Sequence, residues 1–449
     1  MSNIEQGMLN TEEAFTFSEL AQWTSTDWKQ AESAPCNNSN DWKISGISHD
    51  TRTLKAGEVY IAIKGENHDG HDFVQQAVQK GAAGLIVDRE FPDIEKAQLV
   101  VPDTLAALWQ LAAGARATWN GPVIGITGSV GKTTVKELIA SVLAQKGTVA
   151  KTLGNWNNEI GLPLSMLAAD RASDFFVFEL GMNHPGEIDP LARLLQPDWA
   201  LITNIGKAHT EFFQGLEPAE PELAENSRIL EKIAEEKASI LNHAAQAVLD
   251  ADSEWFDRLQ AGFVGRVVTL TTEPFCAPQP GEHMVQNTRF AATIGLELGL
   301  SPQEVQAGLN AFSPGAMRWE ESARGGVTFI NDAYNANPLS MRAALSTFAE
   351  LPCAGRKFVV LGGMRELGAQ SDSEHRELGE FVDALNFDGV ITIGELGSKI
   401  ICNGITGIEK AAAIDILRDH LRSDDMVLFK ASRGEQLETI LEELKAKIL

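Results

Sequence analysis

Positive charge is what this sequence is short of. Its 37 lysines and arginines stand against 62 aspartates and glutamates, a formal net charge of −25. Such a surface repels nucleic-acid backbones and anionic lipid, so neither is expected as a non-specific partner. An anionic ligand must instead be met by a local cationic pocket. Cysteine is scarce too. The four present (Cys36, Cys276, Cys353 and Cys402) are scattered and show no paired metal-ligand spacing. They fit buried thiols in a reducing compartment. No apolar run approaches the ~18 residues that a membrane span needs. The first residues are polar and acidic, unlike a secretory signal. No internal repeat and no low-complexity tract is visible. A cytoplasmic protein without membrane insertion is expected.

What is present is size and one strong motif. At 449 residues the chain is too long for a single ordinary core, so two or three domains are expected. The motif lies in Pro122–Thr134. An apolar β-branched run is followed by Thr127-Gly128-Ser129-Val130-Gly131-Lys132-Thr133-Thr134 and then by a helical pattern. This is the order strand, phosphate loop, helix. Glycines let backbone N–H groups close around phosphate oxygens, and the helix aims its positive end at the anion. Lys132 is placed to bridge β- and γ-phosphates, and the Thr133 hydroxyl to bind magnesium. The usual G-x-x-x-x-G-K-[ST] pattern wants glycine at 126, where this chain has Ile126.

The rest of the chain reads as α/β units. Phe15 to Trp28 is a short amphipathic stretch, followed by a polar loop at Asn37-Asn38-Ser39-Asn40. Strand-like segments at 44–48, 57–65 and 85–87, with a helix opened by Asp69-Gly70-His71-Asp72-Phe73, make a small α/β domain over residues 1–105. Its turns, with Ser48, Asp50 and Arg52, could hold a phosphorylated ligand; a surface ion pair for Arg52 is the alternative. The central region, 106–313, carries the phosphate loop. Asn155, Asn157 and Asn158 crowd a glycine-bounded turn there, where their amides could bind substrate oxygens. Phe175–Phe178 and Ala200–Asn204 read as buried parallel strands ending at Glu179 and before His209. Ligands bind beyond the carboxyl ends of such strands, so Glu179 and His209 are expected near Thr133, suited to a divalent cation. The acidic segment 214–231 is expected to be a solvated loop or short helix, and Ile233–Leu241 reads as helix running into strand. Residues 314–449 alternate strands and helices, a second doubly wound unit.

Four segments then carry a family resemblance: Gly154-Asn155-Trp156-Asn157-Asn158-Glu159-Ile160-Gly161, Thr203-Asn204-Ile205-Gly206-Lys207-Ala208-His209, Asp332-Ala333-Tyr334-Asn335-Ala336-Asn337-Pro338 and Lys430-Ala431-Ser432-Arg433-Gly434. With the phosphate loop, they resemble the Mur ligases and their folylpolyglutamate synthase relatives, ATP-dependent amide-forming enzymes of three domains. The resemblance covers nearly the whole chain. It implies a UDP-binding domain, a central phosphate-loop ATPase domain with a parallel sheet, and a C-terminal Rossmann-like domain. Within the family, the pattern is most similar to the member that joins D-alanyl-D-alanine to UDP-N-acetylmuramoyl-tripeptide. The alternatives are a ligase adding a diamino acid to the UDP-linked dipeptide and a non-catalytic nucleotide-binding homologue.

The resemblance implies roles residue by residue. Thr133, Glu179 and His209 would hold magnesium, two ions of it, with Lys237 as a further ligand once carbamylated. Lys132 and the loop 127–134 would bind the ATP phosphates. Asn287, Arg318 and Asp332 would contact the nucleotide, and Asn335 and Asn337 would lie near it and the reacting groups. Ser432 and Arg433 would face the incoming dipeptide. Lys132, His209, Lys237 and Arg318 are the expected catalytic set, and a monomer is expected. Two departures stand out. The stretch from Glu211 to Lys237 is longer than the family's usual spacing, and the family's usual aspartate is missing from the turn Leu361-Gly362-Gly363-Met364.

Overall fold

The computed structural model describes residues 14–29, 43–65, 67–214 and 225–447. Three larger sheets organise them, each built from the apolar runs read above. The first has five strands in the order 28–29, 97–100, 84–87, 58–61, 46–48. All its neighbours are parallel except the antiparallel pair Trp28–Lys29 and Ala97–Val100. The amphipathic stretch from Phe15 forms a helix over Phe17–Thr24. A capping box of Thr16 and Glu19 starts it, and Ser25, at φ 51°, stops it. The Asn37–Asn40 loop lies outside the described residues.

The central sheet has six parallel strands in the order 266–269, 246–249, 199–202, 123–127, 175–179, 149–151. The strand Val123–Thr127 thus lies mid-sheet, with the chain crossing to either side of it. That is the switch point where an open parallel sheet leaves a crevice. The helix Thr104–Arg116 buries Leu108, Leu111 and Ala115 in one apolar cluster with Phe15 and Ile86 of the first unit and Phe176 of the central sheet. The first two sheets therefore share a core.

Ile233–Leu241 contains no strand. The helix Glu225–Ala238 runs through it and passes into a 3₁₀ turn at Ser239–His243, with the strand following at Gln246–Leu249. Ile229, Ile233, Ala234 and Lys237 are all buried along this helix, the spacing of one helical face. Residues 225–231 of the acidic segment form its first turns; 215–224 lie outside the described residues.

The third sheet runs 320–324, 327–331, 426–430, 357–361, 389–393, 405–408. Only the Glu320–Arg324 edge is antiparallel. No helix among the described residues is long and apolar enough to cross a membrane. Cys276, Cys353 and Cys402 are free thiols.

Candidate active site at the phosphate loop

The mid-sheet strand ends in the phosphate loop, and strand register fixes what flanks it. Glu179 pairs with Ile126, and Ile202 pairs with Thr127. Glu179 on one side and Thr203-Asn204 on the other therefore rise at the loop's level. Asn204 braces the loop twice: its Oδ1 accepts from Val130 N–H at 2.9 Å, and its Nδ2 donates to Val130 O at 3.1 Å. Thr203 Oγ1 donates to Val130 O at 2.6 Å, and the Ser129 hydroxyl bonds to Gly206.

Two glycines are required here. A Cβ at Gly128 would stand 1.9 Å from Thr203 Oγ1. Gly131 has φ 83°, and a Cβ there would stand 2.9 Å from Asn287 Oδ1. Ile126 in place of the usual glycine has a simple reason. It is fully buried inside the strand, and the turn begins after it.

A cleft of about 1310 Å³ opens over the loop. Ser129–Thr134, Asn155–Glu159, Glu179, Asn204, His209, Asn287, Arg318, Asp332, Asn335 and Asn337 line it. Thr127 and Gly128 lie behind this lining. Lys132 Nζ donates to Gly128 O at 2.7 Å, folded back over the loop. Burial lowers its pKa; Glu179 opposes that shift and Arg318 adds to it. Arg318 reaches across from the third unit. Its Nη2 donates to Thr133 Oγ1 at 3.1 Å, and its guanidinium stacks 4.0 Å over the Tyr334 ring.

Glu179 is almost fully buried. One oxygen, Oε1, accepts from Asn157 Nδ2 at 2.6 Å, while Oε2 is buried with no hydrogen-bond partner. An orphaned carboxylate oxygen beside a hydroxyl and a phosphate loop fits a divalent cation. Among the described residues no group of three or more His, Cys, Asp or Glu could hold a metal. A cation here would therefore rest on few protein atoms plus substrate phosphates, which is how magnesium binds. His209, at φ 58°, follows the neighbouring strand. Its Nδ1 lies 2.5 Å from Glu366 Oε2, an ion-pair distance, though not aligned as a hydrogen bond. Lys237 is buried, and its pKa falls well below the ordinary lysine value, chiefly by burial and then by the charge of Lys132; Glu236 opposes.

Some expected residues serve other partners. Asn158 Oδ1 accepts from Gly161 N–H, and Asn337 caps the helix Pro338–Glu350. Asp332 accepts from Lys430 Nζ at 2.6 Å and from Trp319 N–H at 3.2 Å. Ser432, Arg433, Asn335, Asn337, His209 and Glu366 line a smaller cavity of about 130 Å³. Ser48, Asp50 and Arg52 do not line the cleft. Arg52 is exposed and forks onto Asp50 at 2.7–3.0 Å, which holds that carboxyl down at about 2.

Sequence reasoning missed Lys430, His283, Tyr334, Glu366 and Lys136. Lys430 was read as the end of a strand and the start of a family segment, with no role of its own. Lys136, fully buried, ties the loop's helix to Thr152 O and Gly154 O at 3.0 and 2.9 Å.

Three family models tile the chain: the Mur ligase family catalytic domain over residues 43–116, the Mur ligase middle domain over 126–274, and the Mur ligase glutamate ligase domain over 317–433. The UDP-N-acetylmuramoyl-tripeptide--D-alanyl-D-alanine ligase of Bacillus subtilis is 36% identical over 425 residues, covering 89% of this chain and 93% of the relative. The chain belongs to the Mur ligase family.

The Escherichia coli relative of the same name is 33% identical, over 90% of this chain and 94% of its own. Among solved structures, MurF from Acinetobacter baumannii superposes with a TM-score of 0.83 at 30% identity, over 96% of this chain and 99% of the other. MurF ligase from Thermotoga maritima in complex with ADP gives 0.76 at 27% identity, over 90% and 97%. One departure from the Mur ligase pattern now has a steric reason. A Cβ at Gly363 would stand 2.1 Å from Leu396 Cβ, and one at Gly362 would stand 2.6 Å from Ala431 Cβ. Neither position of this turn accepts a carboxylate side chain.

Proposed function

We infer that the protein joins D-alanyl-D-alanine to UDP-N-acetylmuramoyl-tripeptide at the expense of ATP, giving the UDP-linked pentapeptide precursor of peptidoglycan. The observation that carries this reading is a single cleft joining three things: a phosphate loop, a buried carboxylate with a free oxygen, and arginine and asparagine side chains from the third unit. The need for ATP and a nucleotide-linked substrate favours a cytoplasmic setting.

A peptide carboxylate is a poor electrophile. One of its oxygens attacks the γ-phosphorus of ATP, ADP leaves, and an acyl phosphate forms. The amine of D-alanyl-D-alanine then adds to the acyl carbon, inorganic phosphate departs, and the amine loses a proton. Both steps gather negative charge. Lys132, the loop N–H groups, the helix Lys132–Leu143 and Arg318 neutralise it from fixed positions. Each such group is worth about 3–4 kcal/mol of barrier. Thr133, Glu179 and His209 would hold magnesium, which would supply further charge neutralisation at the phosphates. Asn287, Asp332, Asn335 and Asn337 border the nucleotide. Asn155, Asn157 and Asn158 border the muramoyl peptide, with Ser48, Asp50 and Arg52 at its UDP end. Ser432 and Arg433 border the dipeptide in the smaller cavity. Lys237, buried and with a depressed pKa, offers the neutral amine that adds carbon dioxide and releases a proton, becoming an anionic carbamate.

The test is ADP release with UDP-N-acetylmuramoyl-tripeptide, ATP and magnesium, with and without D-alanyl-D-alanine. Strict dependence on the dipeptide is expected. A response to diamino acids with the UDP-linked dipeptide instead would transfer the protein to that branch of the family. No turnover with either would leave a nucleotide-binding homologue.

A further inference from the structure

The loop that follows the central strand Trp199–Ile202 docks on the loop that follows the third-unit strand Lys357–Leu361. Lys207 Nζ meets Glu374 Oε1 at 2.5 Å. Glu211 N–H donates to Glu366 O at 3.2 Å, and Thr210 Oγ1 and Gln214 Nε2 donate to Leu367 O at 3.3 and 3.2 Å. At the centre of this seam stands the pair His209 and Glu366, with Nδ1 and Oε2 2.5 Å apart. Both residues have left-handed backbones, φ 58° and 63°. That conformation is strained for a non-glycine residue, so the surrounding contacts must hold it in place.

We propose that Glu366 is a positioning residue for the metal site: a carboxylate on the third unit that fixes the tautomer and ring orientation of His209 on the central unit when the two units dock. An imidazole has two nitrogens. A carboxylate 2.5 Å from Nδ1 favours the ring proton on that nitrogen, which leaves Nε2 with a lone pair for a cation. In the undocked protein this carboxylate is withdrawn, and His209 is free to turn or to carry its proton on Nε2. Metal affinity is thereby coupled to docking of the unit that brings Arg318 to Thr133. The proposal rests on His209 being a metal ligand.

The test measures Mn²⁺ binding to the protein–ADP complex by electron paramagnetic resonance, with thermal melts as a folding control. Glu366→Ala is expected to weaken Mn²⁺ about tenfold or more, the usual effect of losing a carboxylate behind a metal histidine. Glu366→Gln, which keeps an oxygen beside the ring but loses the charge, is expected to lie between it and the parent. Glu374→Gln, which breaks the neighbouring cross-unit pair but touches neither ring nitrogen, is expected to stay within about twofold. Folded Glu366→Ala with parental Mn²⁺ affinity overturns the proposal, as does an equal loss in Glu374→Gln, which would assign the effect to docking alone. His209→Ala separates the two levels. If it too binds Mn²⁺ normally, the reading of the metal site fails; if it alone weakens binding, only the role of Glu366 fails.

Discussion

Replacing Glu179 by glutamine separates the ligand role of this residue from its structural role. In the free protein, the amide oxygen of glutamine can still accept from Asn157 Nδ2. The other carboxylate oxygen has no partner to lose. The free protein should therefore change by no more than about 1 kcal/mol, one ordinary hydrogen bond. Ligand binding should change far more. Magnesium–ADP at a hundred times its dissociation constant stabilises the parent by about 2.7 kcal/mol. Loss of one charge at the cation, at about 3 kcal/mol, weakens binding roughly a hundredfold. At the same ligand concentration the stabilisation then falls to about 0.4 kcal/mol. For a unit of this size, the ligand-induced rise in melting temperature should drop from about 5–10 °C to about 1 °C. Scanning fluorimetry with and without magnesium–ADP reads both quantities. A variant that loses several degrees without ligand yet keeps the full ligand shift would show a structural Glu179 and refute the assignment.

Further predictions concern neighbouring groups. Lys237→Met should raise the melting temperature of the ligand-free protein at neutral pH. The unfolded chain binds a proton that the buried amine does not, so the parent's stability climbs with pH between the lowered folded pKa and the ordinary value of 10.5, and the variant should lose that slope. Lys237→Ala should lose at least tenfold in activity, with partial rescue by formate or acetate; an active, unrescued variant would count against a carbamate. Gly131→Ala should weaken ATP by about tenfold or more in calorimetry, since φ 83° and the approach to Asn287 both oppose a Cβ. Arg52→Ala should move the Asp50 carboxyl from about 2 toward its ordinary 3.8 in an NMR titration. Because that carboxyl is depressed, the pair's contribution is present above 3.8 and lost as pH falls through about 2; the pair is exposed, so its loss at pH 7 should lower the melting temperature only slightly.

The phosphate loop, Glu179 and His209 were legible because parallel strands announce themselves as apolar runs and ligands gather beyond their ends. Local chemistry misled where two periods overlap. Ile233–Leu241 is apolar enough for a strand, yet the face formed with Ile229 belongs to a helix. Glu366 and Lys430 could not be found from sequence, since each acts on a residue about a hundred positions or more away, through contacts between sheets that no local pattern encodes. The polar strand Glu320–Arg324 was missed because an exposed antiparallel edge carries no apolar run.

The most direct test of the central claim uses UDP-N-acetylmuramoyl-tripeptide labelled with ¹⁸O in its terminal carboxylate, incubated with ATP, magnesium and D-alanyl-D-alanine. Mass spectrometry of the products should show the UDP-linked pentapeptide and one ¹⁸O in the released phosphate, because the carboxylate oxygen that attacks phosphorus leaves with it. Pentapeptide without label in phosphate would contradict the acyl-phosphate route, and no pentapeptide would contradict the ligase itself.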